Sequence, residues 1–308
     1  MGDLLFATKP RSVGDVSAGK DLGHQVPSTT DGPIGMFDSG FGGLTVARAV
    51  IDLLPSEDLV YIGDTGRYPY GDKKPEDVRG YARELAWSLV KDHHAKAIVV
   101  ACNTAAAALP VHELEAELAA AGVMVPVIGV IEPGAQSLVR ATRSGRVGVI
   151  GTMGTIGSGA YDRAVARTSL GSTVQLVSAP CPGFVEFVER GRTTGPDVTI
   201  LAQRLLAPIL EADVDALLLG CTHYPYLARV ISDVLGSHVT LVSSADETAF
   251  ALRDQLGQAA MLKPDTGASG QHQFMSSGDV AWFKELGTRL LGPELTNVNI
   301  WNRKTDES

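Results

Sequence analysis

Three cysteines occur in the 308 residues, and two of them stand at matching places. The stretch "KAIVVACNT", residues 96–104, aligns without a gap on "DALLLGCTH", residues 215–223, so that Cys102 falls on Cys221. Each thiol ends a short apolar run and is followed by two polar side chains. A buried cysteine is often no more than a small hydrophobe, but a matched pair at strand ends fits that reading poorly. A zinc site would need three or four ligands at short spacing; only Cys221 and His223 are close in sequence, and C-x-x-C occurs nowhere. A cysteine nucleophile beside a histidine base is conceivable, yet it leaves Cys102 without a task. Two thiols on opposite walls of one pocket suit the inversion of a stereocentre. One removes a proton from one face of a carbon, the other gives a proton to the opposite face, and the pair runs in reverse for the mirror image. An unperturbed thiol pKa of about 8.5 keeps thiol and thiolate both accessible near neutrality, and amide donors or a helix N-terminus lower it. Cys181, in "SAPCPGF", has no counterpart in the other half and is assigned to the core.

Such a pair needs a scaffold that ends two strands at one cleft. The runs "PIGMFD", "LVYIGD", "AIVVAC", "VPVIGVI", "RVGVIG", "VQLVSAP", "ALLLGC" and "VTLVSS" alternate with helix-like stretches such as "PEDVRGYARELAWSLVKDHHA". Near-continuous apolar runs separated by helices mark parallel strands covered on both faces. The eight runs form two sets of four, each with a cysteine closing its third. The expected fold is therefore α/β, with two pseudo-symmetric domains, each a mostly parallel sheet flanked by helices, and the active site in the cleft between them. Ligands in open α/β sheets bind beyond the carboxyl ends of the strands.

The net charge of −9 with scattered basic residues excludes an electrostatic footprint for nucleic acid. No apolar run is long enough to span a bilayer, and the start lacks the pattern of a signal peptide. An odd number of cysteines argues against a disulfide framework and for the reducing cytoplasm. Residues 1–33, rich in Gly, Ser, Thr, Asp and Pro, are expected to be a disordered extension.

The blocks "IGMFDSGFGGLTVAR", "YIGDTGRYPYG", "VVACNTAAA", "VPVIGVIEPGA", "VGVIGTMGTIGSGAY", "CPGFVEFVERG" and "LLLGCTHYP" resemble, in order, those of bacterial glutamate racemases, in the cofactor-independent aspartate/glutamate racemase family. The resemblance covers about residues 34 to 250 and continues more weakly through "FMSSGDVAWFKELGTRLLG"; residues before 34 lie outside it. It implies that Cys102 removes the proton from D-glutamate and Cys221 acts on L-glutamate, with no cofactor and no metal. It makes Asp38, His223 and Glu189 auxiliary acid/base residues. Asp38, Ser39, Tyr70, Gly71, Asn103, Thr104, Thr222 and His223 become the substrate contacts. It further implies D-glutamate supply for peptidoglycan and a homodimer, and it carries a possible contact with DNA gyrase. By the same resemblance the first domain is discontinuous, 34–127 plus 245–303, and the second is 128–244.

The residues allow plainer readings beside these. Asp38 in "DSGFGG" could simply cap a helix, Tyr70 and Gly71 could belong to an ordinary turn, and Glu189 could be a solvated helical charge. "DSGFGG" lacks a P-loop lysine, and "GTMGTIGSG" does not reproduce G-x-G-x-x-G after its strand. Pyridoxal phosphate would need a Schiff-base lysine, whereas Lys73 and Lys74 sit in a polar turn. The rival activities are an aspartate racemase, disfavoured because relatives acting on aspartate carry glutamate where His223 stands, and a non-catalytic regulator on the same scaffold. A pure binder has no need of two matched thiols.

Overall fold

The computed structural model describes residues 31–302; the expected extension thus lies, up to residue 30, outside the described residues, as do the last six. Among the described residues ten strands form two sheets. β1 (Ile34–Asp38), β2 (Leu59–Gly63), β3 (Ala97–Val100), β4 (Val127–Gly129), β9 (His272–Ser276) and β10 (Val298–Ile300) make a six-stranded sheet ordered β10-β9-β2-β1-β3-β4. β5 (Arg146–Gly151), β6 (Gln175–Pro180), β7 (Ala216–Gly220) and β8 (Thr240–Ser243) make a second sheet ordered β6-β5-β7-β8. The recorded pairings are parallel throughout. The quartets β2-β1-β3-β4 and β6-β5-β7-β8 repeat one order, so the pseudo-symmetric α/β fold expected from the sequence is present. The first sheet gains β9 and β10, contributed by the chain after it has left the second.

Strands β1, β2, β3 and β7 are buried at every residue, as parallel strands covered on both faces must be. Successive side chains point to opposite faces, and β5 and β7 show the consequence. Val147, Val149, Ala216 and Leu218 join the large core that extends from the first sheet. Ile150, Leu217 and Leu219 belong to a second core with Phe184, Val198 and Tyr224. A buried ion pair, Lys96 Nζ to Glu57 Oε2 at 2.6 Å, fastens the returning chain, because Lys96 also donates to Met261 O at 2.8 Å. The backbone N–H of the same Lys96 donates to Pro33 O. No helix among the described residues is long and apolar enough to cross a membrane.

Candidate active site

The two sheets end at one place. Backbone bonding runs past the strands: Ala101 N–H donates to Phe37 O, Asp64 N–H to Asp38 O, and Cys181 N–H to Gly151 O. This holds Asp38, Cys102 and Cys181 at the carboxyl edges, and Cys221 follows β7 directly. Cys102 and Cys221, from different sheets, line one cavity of about 60 Å³, room for a few waters. Asp38, Ser39, Tyr70, Gly71, Asn103, Thr104, Thr222 and His223 line it too. Tyr68, Thr152 and Glu186, not singled out in the sequence, also face it, as does Cys181, which was assigned to the core. Glu189 does not line the cavity; it stands behind two residues that do, 3.4 Å from His223 Nε2 and beside Tyr68.

Cys102 caps the helix Asn103–Ala108: its Sγ accepts from Ala105 N–H at 3.5 Å and its thiol donates to Ser39 Oγ at 3.6 Å. Burial, reinforced by the Asp38 carboxylate, pushes this thiol well up against the pull of those contacts. Asp38 caps its own loop, accepting from Gly40 N–H at 2.9 Å through Oδ2, while Oδ1 is buried without a partner. Burial raises the Asp38 carboxyl; His223 and the amides of Gly43 and Gly40 oppose the rise. Asp38 thus ties its own loop rather than capping the helix Leu44–Leu53, whose N-cap Gly43 has no side-chain bond.

On the opposite wall, Cys221 Sγ is 3.9 Å from His223 Nδ1. His223 Nε2 is 3.4 Å from Glu189 Oε1, out of line for a hydrogen bond, so the contact is one of charge. Burial lowers the imidazole, but Cys221 and then Glu189 outweigh it, and His223 is held up at about 10. Gly42 permits the approach of this loop: a β-carbon there would stand 2.3 Å from Thr222 Oγ1 and 2.4 Å from His223 Nδ1. Gly183, at φ 91°, starts the helix Phe184–Glu189 that carries Glu186 and Glu189. An L side chain rarely adopts that backbone.

Apart from His223, donors for an anionic ligand come from neutral groups, since neither lysine nor arginine is among the described lining residues. Asn103 Oδ1 accepts from Tyr161 at 2.6 Å, leaving Nδ2 buried and unpaired. Thr104 Oγ1 meets Thr152 Oγ1 at 3.0 Å across the two sheets, beside Gly154 N–H donating to Gly71 O at 3.1 Å. The Tyr70 hydroxyl is engaged by Asp64, which also receives Arg67 and Ser277, so Tyr70 offers the cavity its ring rather than its oxygen. Cys181 belongs to the second core and also touches the cavity; its place after β6 is that of Asp64 after β2. Among the described residues no group of three His, Cys, Asp or Glu side chains is arranged to hold a metal.

A family described as Asp/Glu/Hydantoin racemase matches residues 44–252. The glutamate racemase of Beutenbergia cavernae is 48% identical over 278 residues, 88% of this chain and 93% of that protein. That of Mycobacterium tuberculosis is 46% identical over 266 residues, covering 86% and 94%. Among solved structures, glutamate racemase isoform RacE1 of Bacillus anthracis superposes with a TM-score of 0.80 at 38% identity, covering 89% of this chain and 98% of that one. The glutamate racemase of Francisella tularensis, solved in complex with D-glutamate, gives 0.79 at 31% identity over 89% and 99%.

Proposed function

The chain belongs to the Asp/Glu/hydantoin racemase family, and from that premise we propose that it interconverts L- and D-glutamate by moving the α-hydrogen between Cys102 and Cys221. The observation that carries this reading is that these two thiols close strands of different sheets and share one small cavity.

In the direction L to D, Cys221 as thiolate removes the α-proton and Cys102 as thiol delivers one to the opposite face. His223, a cation beside Cys221, balances the charge that sulfur must carry. Cys102 is held as a thiol by its burial and by Asp38, the form this direction requires. In reverse Cys102 must first lose its proton, and the buried carboxylate of Asp38 is the adjacent acceptor. Asn103 Nδ2 and the threonine hydroxyls suit the substrate carboxylates, and Asp38 Oδ1 suits the ammonium.

The physiological reading is a cytoplasmic homodimer that supplies D-glutamate for peptidoglycan, its domains being 34–127 with 245–303 and 128–244. The activity is tested by incubating purified protein with L-glutamate in deuterated water and following optical rotation together with the Cα proton signal. Decay of both to the racemate supports the reading, with aspartate turned over about 10- to 200-fold less efficiently for its missing methylene. Unchanged rotation without deuterium uptake overturns it.

A further inference from the structure

Tyr68 is a polar residue of the cavity that takes no part in the proton transfer itself. Tyr68 lines the cavity, and its ring packs against the backbone at Gly40, where a β-carbon would come within 3.1 Å of it. The ring lies 6.4 Å from that of His223 at an angle of 37°. Its hydroxyl is buried with no hydrogen-bond partner. Two other buried atoms close by are in the same condition, Glu189 Oε1 and His223 Nε2, although they stand only 3.4 Å apart. An unpaired buried polar atom is unfavourable, and native structures hold few of them. Tyr68 and His223 both interact with the Glu189 carboxylate, so a small turn of that one group gives all three atoms a partner.

The carboxylate concerned is Glu189. Burial pushes the Tyr68 phenol far up, and Glu189 adds to this ahead of Cys221 and Glu186. Glu186, whose Oε2 is also buried and unpaired, is the competing acceptor. Around His223 the charged and titratable groups are Cys221, Glu189 and Asp38, with the Tyr68 ring alongside. Of these, Glu189 is the one whose orientation the Tyr68 hydroxyl can set.

Resting on the two-thiol reading, we propose that Tyr68 is a positioning residue for the Cys221 half of the reaction: its hydroxyl donates to Glu189 and turns that carboxylate onto Nε2 of His223. The imidazolium then stays in place beside Sγ of Cys221 while hydrogen passes.

The test must separate the two halves. L- and D-glutamate have equal free energy, so kcat/KM is the same in both directions for every variant and cannot report on one wall. Deuterium at Cα can: slowing the Cys221 step makes C–H cleavage of L-glutamate more rate-limiting and that of D-glutamate less so. Tyr68→Phe keeps the ring and removes the donor. It is expected to lower kcat about tenfold, raising the α-deuterium effect on kcat/KM for L-glutamate but not for D-glutamate. Glu189→Gln, on the other side of the contact, should give the same signature, whether or not the Tyr68 variant folds. The double variant should be no slower than the slower single one, as expected of residues acting in series. Wild-type behaviour of Tyr68→Phe overturns the inference. So does a raised KM with unchanged isotope effects, which would make the hydroxyl a direct substrate contact. Equal isotope changes for both enantiomers, or multiplied losses in the double variant, overturn it as well. If the unaltered protein fails to racemise glutamate, the two-thiol reading falls first.

Discussion

Nδ1 of His223 lies 3.9 Å from Sγ of Cys221, and both residues line the cavity. Burial works against a charged imidazole there, but Cys221 and Glu189 raise it from 6.5 to about 10. A pKa raised by folding means that the bound proton favours the folded state. The contribution is complete below about pH 6.5 and is lost as the pH climbs through about 10. His223→Gln should therefore cost most stability below pH 6.5 in denaturant melts. The gap should narrow above that pH to a constant remainder from packing; a gap that widens between about pH 6 and 10 contradicts the assignment.

Asn103 offers a buried Nδ2 with no partner while Tyr161 holds its Oδ1 at 2.6 Å. A hydrogen bond to a charged group contributes about 1.5–3 kcal/mol, which corresponds to about 10- to 100-fold in affinity. Asn103→Ala is expected to raise KM for both enantiomers by that factor, measured by initial rates from each side. An unchanged KM removes Asn103 from the substrate contacts.

Gly42 leaves no room for a methyl group against Thr222 and His223. Gly42→Ala should shift the Cys221 loop and lower kcat about 100-fold, as a displacement near 1 Å can, with the circular dichroism of the fold retained. Gly157→Ala is the control, since a β-carbon there meets nothing within 4 Å and kcat should hold. Equal activity in the two variants would show that the close approach is unimportant.

How much of this was legible in the sequence follows from burial. The eight apolar runs are β1 to β8, because strands covered on both faces must be apolar throughout. β9 and β10 escaped the pattern: His272, Gln273, Ser276 and Asn299 interrupt them, as a position toward the sheet edge permits. The thiol pair was visible through the repeat, which tertiary structure preserves in the shared strand order. Tyr68, Glu186 and Thr152 were not, because loops and short helices bring them to the cavity and no period marks them. Cys181 was read as core and does lie there, but strand-end placement also gives it the cavity wall. Glu189, read as an auxiliary acid/base residue, stands behind His223 and outside the cavity lining.

The central claim, that Cys102 and Cys221 act on opposite faces of one carbon, is tested most directly by α-deuterium isotope effects on the two serine variants. Cys221→Ser should enlarge the effect on kcat/KM for L-glutamate and diminish it for D-glutamate; Cys102→Ser should give the mirror image, each variant being slowed by at least about 100-fold. Isotope effects that change alike for both enantiomers in both variants, or full activity in either, would contradict it.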